Sequence, residues 1–148
     1  MKSNLDKLEP FGLICHDIAL AEMRVGEVPG PSTLGPGGKY FLREFYCTER
    51  GCDCRRVLVQ FIGHDRPSRV GASINYGWET VWFYKKWSRG PGPWREMAGA
   101  TLEPFAEQGP HAEGFLKVFN HLITVKDGEL VAAFRRHYAL VKKTLPKP

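Results

Sequence analysis

The sequence lacks any long apolar run. The longest near its start is Phe11-Gly12-Leu13-Ile14-Cys15, far short of the ~20 residues that a membrane-spanning helix needs. No small-residue cleavage site follows it, so the expectation is a cytoplasmic protein with no leader and no membrane partner. A large excess of one charge is also missing. Lys and Arg number 21 against 16 Asp and Glu, a formal charge of +5, with a pI of about 9.1; that justifies looking for a basic patch and excludes a histone-like polycation. With 43% hydrophobic and 25% charged residues in 148, neither disorder nor a collagen-like repeat is tenable, and one domain with a packed core fits the length. No internal repeat or shift in composition marks a second unit.

The usual catalytic signatures are absent as well. Gly30-Pro31-Ser32-Thr33-Leu34-Gly35 opens like a phosphate-binding loop, but Pro36-Gly37 stands where Lys and Ser or Thr should follow. His16-Asp17 and His64-Asp65 are doublets like those of metal-dependent phosphohydrolases, whose scaffold is all-helical, whereas His64 follows a strand pattern. There is no Gly-x-Ser-x-Gly elbow, no His-Glu-x-x-His helix and no spacing that suggests a carboxylate pair. The reading leans away from an enzyme.

Periodicity organises the rest. Residues 1–38 carry weak mixed signals and include a Gly/Pro-rich loop at 29–38. Residues 39–47 are rich in Tyr, Phe and Leu. In residues 55–63, Val57, Val59 and Phe61 fall on one side at period two, as do Val70, Ala72, Ile74 and Tyr76 further on. These predict three consecutive antiparallel strands within residues 39–87. Residues 78–87 read ambiguously and lean to a short helix, with Lys85-Lys86 suited to its C-terminal end; residues 94–108 read as mostly irregular. From Pro110 the signal sharpens. Ala112, Phe115, Leu116, Phe119, Leu122 and Ile123 form one helical stripe, with His121 off it and His111 near its edge. After Asp127-Gly128, Leu130, Phe134, Tyr138 and Val141 form a second stripe, opposite Arg135, Arg136, Lys142 and Lys143. The expected fold is α+β: a single domain, 1–148, in which an antiparallel meander of about three strands packs against a C-terminal helical hairpin at 110–144.

The densest chemistry is Cys47-Thr48-Glu49-Arg50-Gly51-Cys52-Asp53-Cys54. It spans the predicted turn between two strands, where a hairpin mouth brings both strand ends together. Three sulfurs there can converge at the ~2.3 Å radius of tetrahedral zinc. Reduced thiols clustered in a cytosolic protein serve metal or redox chemistry more often than structural disulfides. A closed Zn(II) site needs a fourth ligand. Cys15 ranks first, followed by His16, His137 and His64; Cys15 also suits a small buried apolar position, and His137 a hydrogen-bonded core position. Arg50, Arg55 and Arg56 favour thiolate, which supports reactive thiols as well as a zinc-thiolate centre. A Cys47 disulfide with Cys52 or Cys54 is the redox alternative. The aromatic string Tyr76, Trp78, Trp82, Phe83, Tyr84 and Trp87, interleaved with Lys85, Lys86 and Arg89, is the pattern of a core segment or of a base-stacking surface for nucleic acid.

Tyr46-Cys47, Cys52-Asp53-Cys54-Arg55-Arg56-Val57, Tyr76-Gly77-Trp78-Glu79, Phe83-Tyr84, Trp87 and Arg136-His137-Tyr138 together resemble an uncharacterised family of small bacterial proteins, over roughly residues 41–143. The resemblance implies a bacterial cytosolic protein in which the cysteines recur, and it implies no reaction. The resulting expectation is a small metal-binding protein with a structural zinc, acting as an interaction or regulatory module for an unknown protein partner. Redox or metal-dependent chemistry is the first alternative and nucleic-acid binding the second.

Overall fold

The three strands predicted within residues 39–87 form the middle of the sheet. In the computed structural model, which describes residues 5–28, 38–64, 69–90 and 92–146, they are β3 (Gly38–Cys47), β4 (Arg56–Gly63) and β5 (Val70–Gly77), each antiparallel to the next. The predicted Gly/Pro-rich loop lies, apart from Gly38, outside the described residues. β4 has no exposed residue, because strands lie on both its edges and side chains cover both its faces.

The sheet is larger than the expected meander and has six strands. Three-residue β1 (Leu8–Pro10) and four-residue β2 (Val25–Val28) both pair with the outer edge of β3, β1 against Phe45 to Cys47 and β2 against Gly38 to Phe41. β6 (Gly99–Leu102) closes the other edge against β5. These strands are too short and too mixed in composition for period two to register. Two short helices, α1 (Phe11–Ile14) and α2 (His16–Ala21), join β1 to β2.

Residues 78–87 resolve as helix α3 (Val81–Ser88), started by Thr80, whose hydroxyl oxygen accepts the Phe83 N–H at 3.1 Å. A one-turn α4 (Trp94–Met97) follows. Their path demands Gly77: a Cβ there would stand 2.6 Å from Tyr84 Oη and closer still to the Met97 carbonyl oxygen.

The C-terminal part departs from a helical hairpin. α5 (Ala112–Leu122) docks on β5 and β6, whereas the single long α6 (Glu129–Thr144) docks on β4 and α1. Left-handed Lys126 and Asp127 (φ 51° and 54°) and Gly128 (φ 75°) redirect the chain between them. Both predicted stripes face the core: Phe115, Phe119, Leu130, Phe134, Tyr138 and Val141 are buried with Val57, Val59, Phe61, Ile74 and Tyr76. Each buried aromatic or aliphatic side chain there contributes about 1.5–3 kcal/mol by leaving water. Among the described residues no helix is long and apolar enough to cross a membrane.

Candidate metal centre

Cys47 ends β3, and Cys52 and Cys54 lie in the connection to β4. The return is tight: the Cys52 N–H donates to the Glu49 carbonyl at 3.2 Å, and Gly51 takes the left-handed conformation (φ 77°) that a side chain would strain. The three Sγ atoms consequently lie within 4.8 Å of one another. Cys47 and Cys54 are buried, Cys52 is half-buried, and all four cysteines of the chain are free thiols.

Helices hold this connection from outside. The Tyr138 hydroxyl of α6 donates to Asp53 Oδ1 at 3.0 Å and accepts the Arg55 N–H at 3.2 Å. Lys142, one turn further on, donates to the Cys47 carbonyl at 2.9 Å. From α3, the buried Tyr84 donates its hydroxyl to the Arg55 carbonyl at 2.8 Å. Arg55 itself is left-handed (φ 51°) and reaches back to Asp53 (2.9 Å) and across to Glu79 (3.5 Å). That pairing with Arg55 holds the Asp53 carboxyl below its ordinary range, with the Tyr138 bond adding to it.

The three thiols titrate as one group. Hydrogen bonds from Cys52 and Cys54 pull Cys47 well down, aided by the Glu49 N–H, 3.4 Å from Cys47 Sγ, and by the Lys142 charge. Donation to Cys47 pushes Cys52 and Cys54 up. The cluster therefore releases one proton readily and resists releasing the others, unless a cation arrives to balance the charge.

The donor set fits a thiophilic ion. Around a metal bonded to sulfur at about 2.3 Å, tetrahedral or trigonal geometry sets neighbouring sulfurs about 3.8–4.0 Å apart, so side-chain adjustments of under about 1 Å close the present triangle. A second observation concerns charge. Arg56 Nε is buried with no hydrogen-bond partner, and burial lowers the Arg56 pKa although Tyr84, Cys54 and Glu103 act in the opposite sense. A divalent ion with three thiolates carries a net −1, which would offset that buried cation. The two arginines that the sequence presents as neighbours thus differ: Arg55 is ion-paired, whereas Arg56 has a bare Nε.

None of the predicted fourth ligands joins the group, and no other Cys, His, Asp or Glu does so among the described residues. Cys15 caps α2, half-buried against the core, with its amide donating to the Phe11 carbonyl. His16 is exposed on α2. His64 lies at the far end of β4, about 25 Å along the strand by the usual rise per residue. His137 is buried, and both its ring nitrogens are engaged, Nδ1 with Glu44 at 2.7 Å and Nε2 with Glu22 at 3.0 Å. Outside the described residues the chain has neither cysteine nor histidine.

Sequence reasoning missed Tyr138, Lys142, Asp53 and Tyr84 as the frame of this centre. Tyr138 and Lys142 are 85 and 95 residues from their partners, and a helical stripe announces burial without saying against what. Comparison with known protein families, curated proteins and solved structures gives no match to the chain.

Proposed function

We propose that the protein is a thiophilic metal-binding module in which Cys47, Cys52 and Cys54 hold one zinc ion as three thiolates. The observation that carries this reading is the convergence of three free thiols within 4.8 Å at a strand connection held by α3 and α6. Bound there, the metal fastens the β3–β4 connection and adds its binding energy to folding. The fourth position is completed by water or by a donor from a binding partner, which suits an intracellular interaction or regulatory module of the bacterial type that the sequence resembles.

A second reading, metal-dependent chemistry, is favoured by one observation: three protein ligands are what a catalytic zinc site supplies when its remaining position takes water or substrate. Elemental analysis of protein purified without chelators tests the metal itself. About one equivalent of zinc is expected, with near-complete loss in Cys52→Ser/Cys54→Ser. A metal-free wild type that also takes up no added zinc contradicts the proposal, as does undiminished zinc in the double variant.

A further inference from the structure

On the outer side of α3 and α4 an exposed indole, Trp82, and a half-buried one, Trp94, lie among exposed cations. Trp82 is 73% exposed, although a large aromatic side chain ordinarily loses most of its surface on folding. Lys85 Nζ lies 5.2 Å from the centroid of the Trp82 ring and 5.5 Å from that of Trp94, and the Arg95 guanidinium carbon is 4.9 Å from the Trp94 ring. Such contacts occur about once per 70–80 residues. The described residues have five, and four of them involve α3 or α4. The enrichment is local.

Charge on this stretch is mainly positive. α3, α4 and the residues between them carry Lys85, Lys86, Arg89 and Arg95, all exposed, against one acidic residue, the exposed Glu96 of α4. The platform beneath is firm. Tyr84 is fully buried and bonded to the Arg55 carbonyl, and the bare Cα of Gly77 lets Tyr84 and Met97 close onto β5. Rings fixed on such a base lose little entropy when a flat partner stacks on them.

We propose that this α3–α4 face binds single-stranded nucleic acid, with bases stacking on Trp82 and Trp94 and the phosphates running past Lys85, Lys86, Arg89 and Arg95. Unpaired bases offer the flat faces that an exposed indole takes, and the backbone supplies the negative charge that the four cations complement. A duplex hides its base faces and satisfies only the cations. An acidic peptide likewise satisfies the cations and leaves Trp82 exposed.

Quenching of tryptophan fluorescence by short oligo(dT) and oligo(U) at low salt tests this. Saturable quenching is expected, with an affinity that falls as salt rises by a log–log slope of roughly −0.7 per phosphate neutralised. Trp82→Ala should weaken binding about tenfold, and Lys85→Glu/Lys86→Glu by at least as much. Trp82 is mostly in solvent, so Trp82→Ala should keep the melting temperature and metal content of the wild type, which separates loss of binding from loss of fold. The proposal is overturned if neither oligonucleotide quenches at low salt or if Trp82→Ala binds like the wild type. Equal affinity for duplex DNA or for polyglutamate also overturns it, since charge alone would then account for binding.

Discussion

The hydroxyl of Tyr138 bridges the cysteine connection, donating to Asp53 at 3.0 Å while accepting the backbone N–H of Arg55 at 3.2 Å. One side chain of α6 thereby fixes the residues on either side of Cys54. The Tyr138 ring is itself held by Trp78, edge to face at 5.2 Å, and by Lys142, 5.1 Å from its centroid. The thiol cluster is therefore an extension of the aromatic core.

Removing that hydroxyl should loosen the cysteines without emptying the core. Tyr138→Phe keeps the ring and leaves the Arg55 N–H without its partner, so a stability loss of about 1–2 kcal/mol is expected. Zinc affinity should fall about tenfold, as when a partner that orients metal ligands is lost. Chelator competition and thermal melting measure both; unchanged affinity would show that the connection holds its shape without α6.

His137 makes stability depend on pH. Burial lowers its pKa, but the hydrogen bonds and charges of Glu44 and then Glu22 outweigh this, and the net shift is upward. With a carboxylate against each ring nitrogen, only the imidazolium can donate to both. A raised folded-state value means that this contribution is complete below the unfolded value of about 6.5 and is lost as pH rises through the folded one. Glu22 is shifted down, chiefly by the His137 hydrogen bond, so its contribution is lost instead as pH falls through its own lowered value. Melting temperature of the zinc-loaded protein should accordingly decline above pH 6.5, and His137→Gln should flatten that decline. Identical slopes in the two proteins would refute the assignment.

Gly77→Ala tests the seat of α3 and α4. The new methyl would meet Tyr84 Oη at 2.6 Å and the Met97 carbonyl more closely, and backbone cannot yield as a flexible side chain does. A loss of at least about 2 kcal/mol is expected, or roughly 5 °C in melting temperature for a domain of this size. A melting temperature equal to that of the wild type would mean that this approach is not tight.

The sequence discloses what repeats locally and hides what depends on distant pairing. Val57, Val59 and Phe61 alternate cleanly, so β4 was legible; so were α5 and α6 from their stripes, and the cysteine turn from three Cys residues around Gly51. β1, β2 and β6 were not, because three or four residues carry no period and each strand exists only by pairing with β3 or β5. The helical hairpin misleads for a related reason: two apolar stripes in succession suit helices that pack chiefly on each other, yet apart from Phe119 stacking on Phe134 these pack on different strands and on α1. Lys142 reads as part of a solvated basic face, and its tip instead bonds the Cys47 carbonyl. His137 reads as a hydrogen-bonded core residue more readily than as a ligand, and the partners that engage it are two carboxylates 93 and 115 residues away.

The number of sulfur ligands around the bound ion tests the metal centre most directly. X-ray absorption at the zinc edge of the loaded protein should give three sulfur scatterers at about 2.3 Å and one lighter nitrogen or oxygen neighbour at about 2.0 Å. A shell without sulfur would contradict the thiolate centre, and a fourth sulfur would contradict a coordination completed from outside the three-cysteine group.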